Sequence, residues 1–264
     1  MQKWSRTLVI SMVDIHSHIL WGLDDGAKSV EQSEAMLRSA ALHGTTDIVA
    51  TPHANMEYPF DPAQISERRQ ELQTRLGDVI RIHTGCDFHL RLENIQDATR
   101  NPAKYSINGL GWLLVEFSDH IIFPNTEDIF EQLEDAGMRI IVSHPERNHL
   151  LRQKLDRLEN WVNSGRYLQV TGQSLEGFFG GDARKFATLL VEKGWAHFIA
   201  SDAHDDMRRT PNLDSVFKLV TEKYSEEYAE ALLKIHPQAV IDGFRIEAGV
   251  LEPPEKAKKW LGLF

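Results

Sequence analysis

Seven short apolar runs, each followed by a segment of helical spacing, set the terms for what this 264-residue chain can fold into. The runs cover 7–15, 46–51, 79–84, 112–117, 139–142, 168–171 and 197–200. Among the segments between them, 29–43 opens on Ser29 with Gln32 three residues later, a capping-box pattern, and stops at Gly44. The segment 62–76 begins behind Asp61 with Pro62 at its first helical position and stops at Gly77. Segments 125–136, 150–164 and 182–193 stop at Gly137, Gly165 and Gly194. Strand, helix, glycine and strand in repetition predict parallel strands joined by crossover helices. Seven such units favour a closed or nearly closed α/β barrel, with a doubly wound open sheet as the alternative. Segments 211–223, 226–235 and 237–243 read as helices without a following strand, and are expected to cover the barrel or cap one end. Residues 12–264 are expected to form one domain, with 1–11 as an extension ahead of Met12.

Parallel barrels gather the C-terminal ends of their strands on one face, where active sites form. Asp14-Ile15-His16-Ser17-His18 closes the first run, and Thr51-Pro52-His53 follows the second. Asp87 follows the third, Glu116 ends the fourth, and Ser143-His144-Pro145-Glu146-Arg147 follows the fifth. Ser201-Asp202-Ala203-His204 follows the seventh; the sixth ends in Thr171-Gly172-Gln173 and offers no strong ligand. Residues two apart in extended backbone point the same way, so His16 and His18 can face one ion, as can Asp202 and His204. Imidazole and carboxylate together suit Mn²⁺, Fe, Zn²⁺ or Ni²⁺ better than Ca²⁺, and the lack of thiolate argues against structural zinc. His43, His83, His89, His120, His149, His197 and His236 lack this context and read mostly as packing or surface residues. His120 and His149 lie near the same face and could support the ligands. Trp21, the loop 55–60 and Phe178-Phe179 could supply aromatic walls for a substrate groove.

A formal net charge of −10 argues against non-specific nucleic-acid binding, which needs clustered Lys and Arg. No stretch approaches the roughly 18 apolar residues of a membrane span. The basic opening 1–6 precedes an apolar run that soon reaches Asp14, unlike a secretory signal. One cysteine, Cys86, permits no intrachain disulfide and suits a reducing cytoplasm.

The strings around Asp14–His18, Asp24-Asp25-Gly26, Ala50–His53, Val115–Ser118, Ser143–Arg147 and Ala200–His204 resemble the PHP (polymerase and histidinol phosphatase) superfamily. More narrowly, Asp24-Asp25-Gly26 and His144-Pro145-Glu146-Arg147 resemble the CpsB/CapC family, metal-dependent protein-tyrosine phosphatases of bacterial capsule and exopolysaccharide loci. The resemblance spans about 14–243. It implies a distorted (β/α)7 barrel and three divalent ions, Mn²⁺ first, with Fe, Zn²⁺, Mg²⁺, Co²⁺ or Ni²⁺ as alternatives. Carried over by motif, His16, His18, Asp87 and Asp202 hold one ion. Asp87, Glu116 and His144 hold a second, and Asp25, His53 and His204 a third. Arg147 and Arg209 match the two arginines used on phosphate. A metal-bridging hydroxide would then attack phosphorus in line. The implied substrate is a phosphotyrosine protein, the Tyr-rich tail of a bacterial tyrosine kinase. One departure stands out: the family usually has Glu where this chain has Asp87, a carboxylate one methylene shorter. The cysteine route to tyrosine phosphatase activity is excluded, since a C-x5-R loop would need arginine where Leu92 stands. Alternatives are a PHP phosphatase acting on histidinol phosphate or a nucleotide, and a metal-dependent amidohydrolase. The latter usually carries a bridging lysine at the end of strand four, where Glu116 stands.

Overall fold

The computed structural model describes residues 11–253. Residues 1–10, most of the expected extension, lie outside the described residues; the first strand, expected from residue 7, is seen as β1 from Met12 to Ser17. The chain continues through α1 (Val30–Leu42), β2 (Thr45–Ala50), β3 (His53–Ala54), α2 (Pro62–Leu76), β4 (Arg81–Thr84) and β5 (Asp87–His89). It then forms α3 (Leu92–Arg100), α4 (Pro102–Tyr105), β6 (Trp112–Glu116), α5 (Thr126–Asp135) and β7 (Arg139–Ser143). A 3₁₀ turn at Leu151–Gln153 precedes α6 (Leu155–Asn163), β8 (Tyr167–Thr171), α7 (Gly172–Glu176), α8 (Gly181–Glu192) and β9 (Ala196–Ala200).

The capping chemistry works as the sequence suggests. Ser29 Oγ accepts from Gln32 N, and Asp61 accepts from Ala63 N and Gln64 N behind Pro62. The five helix-stopping glycines adopt positive φ: 91° at Gly44, 55° at Gly77, 95° at Gly137, 87° at Gly165 and 68° at Gly194. The segment 150–164 is not one helix: the backbone leaves helical geometry at Lys154. Helices α3, α4 and α7 were not anticipated.

Strand pairing is parallel throughout the two sheets, ordered β1-β2-β4 and β3-β5-β6-β7-β8-β9. The seven expected staves are present, but the second and third are each broken in two. Pro52 follows β2 and Gly85-Cys86 follows β4, and the breaks lie side by side. Gly85 N donates to Ala50 O (2.9 Å), and Asp87 N donates to Pro52 O (3.1 Å). The wall therefore bends between the two sheets while its hydrogen bonding carries on. At the far side, residues just past β9 come round to β1. Asp202 N donates to His16 O and His18 N to Ala203 O, both at 2.8 Å. Ser201 donates through N (3.0 Å) and Oγ (2.5 Å) to the buried carboxylate of Asp14. The result is a distorted α/β barrel.

One apolar cluster lies among the strands and includes Val13, Ile15, Val49, Leu114, Ile141 and Phe198, joined by Val240 and Ile241. Those last two belong to α11 (His236–Ile241), reached from α9 (Asp214–Lys223), α10 (Glu226–Glu230) and a π-helical stretch, Ala231–Ile235. Larger clusters fill the space between strands and outer helices. Beyond α11 the chain crosses the starts of several strands. Its carbonyls at Phe244, Ile246 and Gly249 accept from Trp112 Nε1 (3.1 Å), Tyr167 OH (3.1 Å) and His197 Nε2 (2.7 Å). One end of the barrel is thus plugged, which leaves the other for chemistry.

Candidate metal centre

The strand ends bring together His16, His18, Asp25, His53, Asp87, Glu116, His144, Asp202 and His204. Asp87, at the break in the third stave, is fully buried among imidazoles. His16 Nε2 and His53 Nδ1 stand 3.6 and 3.2 Å from its Oδ2. Asp202 Oδ1 is 3.5 Å from the Nε2 atoms of both His16 and His18. Asp25 Oδ1 lies 3.3 Å from His53 Nε2 and 3.3 Å from His204 Nε2. Glu116 Oε1 lies 3.4 Å from His144 Nε2. His144 and Asp202 hold positive φ, 29° and 51°, which side-chained residues rarely adopt. Such conformations cost about 1–3 kcal/mol each and persist where the surroundings impose them.

Tautomers decide what the pocket can accept. His18 Nδ1 faces Asp24 Oδ2 (2.7 Å), and His16 Nδ1 faces Gln169 Oε1 (2.9 Å). Carboxylate and amide oxygens only accept, so both rings carry hydrogen on Nδ1 and turn a lone pair outward at Nε2. Those two Nε2 atoms face each other at 3.3 Å. Burial, with His204 nearby, pushes His18 down to about 3, so its ring is neutral. Burial and the Arg147 charge likewise hold His144 well below the usual imidazole range. Neither oxygen of Asp87 makes a hydrogen bond among the described residues. Converging lone pairs with no hydrogen between them fit a divalent cation and fit little else. Four groups of donors are close enough to share an ion: His18, Asp25, His53 and His204; His53, Asp87, His89 and Glu116; His16, His18 and Asp87; and His16, His144 and Asp202.

Both arginines singled out in the sequence reach the rim, and both pair with Asp202. Arg147 Nη1 contacts Asp202 Oδ2, and Arg209 Nη2 donates to the same oxygen at 2.7 Å. One carboxylate thus faces the imidazoles with Oδ1 and the guanidiniums with Oδ2. The Phe179 ring lies beneath both, 4.4 Å from Arg147 Cζ and 5.6 Å from Arg209 Cζ. Asp205 holds the turn that presents Arg209, accepting from the backbone N–H of Met207, Arg208 and Arg209.

Four residues of the site escaped the sequence reading. His89, grouped with histidines read mostly as packing or surface residues, stands with Nε2 against Glu116 Oε2; its two-residue spacing from Asp87 matches that of Asp202 and His204 and was the available signal. Asp24 orients His18, and its Oδ2 also accepts from His53 N (3.2 Å). Gln169 orients His16 from the middle of β8, the stave that ends without a strong ligand of its own. Glu146 is fully buried and accepts from Thr171 N (2.9 Å) and Ser174 Oγ (2.7 Å), which ties the Arg147 loop to the next stave. Gly26 is also required: a Cβ there would sit 2.1 Å from His18 O.

The expected aromatic walls are only partly as anticipated. Tyr58 stacks on His53 with centroids 5.9 Å apart. Phe60 instead stacks on Tyr105 (5.1 Å), and Trp21 packs under Arg68 of α2 (5.3 Å). A cleft of about 700 Å³ opens beside Glu116 and His89, lined also by Met56, Arg91, His120 and Ile121. His149 is exposed.

A family model described as capsular polysaccharide synthesis, CpsB/CapC, matches residues 12–242. The chain belongs to the CpsB/CapC family. CapC of Staphylococcus aureus is 35% identical over 258 residues, which is 96% of this chain and all of that protein. The tyrosine-protein phosphatase YwqE of Bacillus subtilis is 33% identical over 220 residues, covering 82% of this chain and 86% of YwqE. A crystal structure from work on YwqE and on CpsB of Streptococcus pneumoniae, described as metal-dependent tyrosine phosphatases, superposes with a TM-score of 0.84 at 30% identity. It covers 94% of this chain and 100% of the other.

Proposed function

We propose that this protein is a metal-dependent phosphomonoesterase that removes phosphate from tyrosine in proteins. The observation that carries the reading is the pair of Nε2 lone pairs of His16 and His18, facing each other beside carboxylates under an arginine pair. In this reading His16, His18, Asp87 and Asp202 hold one ion, Asp87, Glu116 and His144 a second, and Asp25, His53 and His204 a third. Mn²⁺ is the first choice among divalent ions for this nitrogen and oxygen set. When bound, the ions supply positive charge against the phosphate and acidify water.

The chain's own residues do the rest. Arg147 and Arg209 bind the phosphoryl oxygens with planar, multiply donating groups. Asp202 and Phe179 keep the two guanidiniums at one rim of the pocket, ready for an anion. Asp24 and Gln169 lock the Nδ1–H of His18 and His16, which keeps both Nε2 lone pairs inward. We assign the phenyl ring, and the peptide that carries it, to the cleft beside Glu116. Phenolate leaves more readily than alkoxide, so tyrosine phosphate places the smaller demand on a general acid. Among the described residues no helix is long and apolar enough to cross a membrane. We place the protein in the cytoplasm, acting on the Tyr-rich tail of a bacterial tyrosine kinase that controls polysaccharide export.

One preparation loaded with Mn²⁺ tests this against a phosphotyrosine peptide, a phosphoserine peptide and histidinol phosphate, each with and without chelator. Chelator-sensitive turnover of phosphotyrosine alone is the expected result. Preference for histidinol phosphate, or turnover that chelator leaves intact, would overturn it.

A further inference from the structure

One donor not yet given a place, His89, lies on the face shared by β3, β5 and β6. Parallel register sets His53 beside Asp87 and, one strand over, His89 beside Glu116. Asp87 and His89 are two apart on one extended strand and so share a face, while Phe88 between them turns into the apolar core. Four side chains therefore form two cross-strand pairs on adjoining strands, with ligand atoms all within 4.8 Å of one another. Their atoms are poorly served otherwise. Both oxygens of Asp87, Oε2 of Glu116, Nδ1 of His53 and Nε2 of His89 are buried without a hydrogen bond of sound geometry among the described residues. His53 Nδ1 stands 3.2 Å from Asp87 Oδ2 and 3.3 Å from Glu116 Oε2.

We propose that His89 is a further ligand of a divalent cation held between Asp87 and Glu116. The proposal rests on the metal-dependent reading above and extends it. Donation from His89 Nε2 would give the shorter carboxylate of Asp87 a nearby partner, and would make β5 contribute two ligands, as the segment after β9 does with Asp202 and His204. The nitrogen and oxygen set selects a transition ion such as Mn²⁺, Co²⁺ or Zn²⁺ over Ca²⁺.

The test is cation binding, read apart from phosphatase turnover. Chelator-stripped full-length wild type, His89→Phe and His89→Asp are titrated with Mn²⁺ by calorimetry and with Co²⁺ by visible absorption. Thermal melts in chelator establish that each is folded. His89→Phe keeps the ring volume and removes the donor; one class of Mn²⁺ site should weaken at least tenfold while the others are unchanged. His89→Asp replaces nitrogen by oxygen, so Co²⁺ should bind again with a displaced absorption band. Should His89→Phe not fold, the Co²⁺ band of His89→Asp carries the decision alone. Titrations and spectra identical to wild type in the folded variants would overturn the proposal and leave the phosphatase reading standing. A wild type that binds no cation would overturn both.

Discussion

The Phe179 ring is the support on which the arginine pair rests, and removing its π face without removing its bulk should weaken phosphate capture measurably. Arg147 Cζ lies 4.4 Å from the ring centroid and Arg209 Cζ 5.6 Å. Both guanidiniums are largely sheltered, with 24% and 20% side-chain exposure. A cation over an aromatic face is worth about 0.5–1 kcal/mol where exposed and about 2 where desolvated. The nearer arginine takes most of that range and the farther one the low end, giving about 2 kcal/mol for the pair. If that preorganisation is lost, kcat/KM on a phosphotyrosine peptide falls about 30-fold in Phe179→Leu. Cation content, measured by elemental analysis, should match wild type, because the ring touches arginines rather than ligands. Phe178→Leu is the milder companion: that ring is 44% exposed and touches the arginine pair only through its edge-on contact with Phe179 at 5.0 Å, so its kcat/KM should fall less than that of Phe179→Leu. A Phe179→Leu enzyme within threefold of wild type, at equal cation content, would refute the claim that Phe179 sets the arginines.

Asp24→Asn removes the charge that fixes the His18 tautomer, and should lower cation affinity about 10–100-fold in chelator competition; unchanged affinity would mean that His18 is not held as a ligand. Cys86→Ser should keep its activity per folded molecule while losing about 1–2 kcal/mol of stability to a buried hydroxyl. The thiol is fully buried and pushed well up by burial and by Asp87, so a dead but folded, metal-loaded variant would contradict the metal-only route. His197, far from the strand-end face, is held down to about 4 from its ordinary 6.5 by burial. The unfolded chain protonates it first as pH falls, so stability is fully present above 6.5 and is lost progressively between 6.5 and 4. The loss amounts to about 3 kcal/mol. Urea denaturation of wild type and His197→Gln at several pH values should show a flatter profile for the variant in that window; parallel profiles would assign the acid sensitivity elsewhere.

Much of this architecture was legible because its signals are local. Ser29, Asp61, Pro62 and the stop glycines act on their own helix, so their neighbours in sequence are enough to read them. Placing the ligands needed only that parallel strands end on one face, which follows from the alternation itself. The breaks at Pro52 and Gly85-Cys86 were not legible, because each is tolerated only where the other lies beside it. His89 was lost for the same reason: with the third run ended at Thr84, residues 87–89 had no strand parity from which to infer a shared face. Gln169 and Asp24 act through the tautomer of another residue's ring, and no residue pattern displays that. Phe60 and Trp21 looked like rim aromatics from their place behind the motifs, but a stacking partner on α4 and an arginine on α2 claim them.

The joint between β1 and the segment after β9 has a consequence for how the protein is born. Asp14, His16 and His18 leave the ribosome early, whereas Ser201, Asp202 and Ala203, which pair with them, are made nearly two hundred residues later. Throughout that interval β1 has one neighbour, β2, and an unsatisfied edge. No nascent fragment can assemble the centre, because the segment that closes the barrel also carries Asp202 and His204. Synthesis that stalls before residue 200 leaves an open edge and no phosphatase, so activity itself reports a chain translated past its last stave.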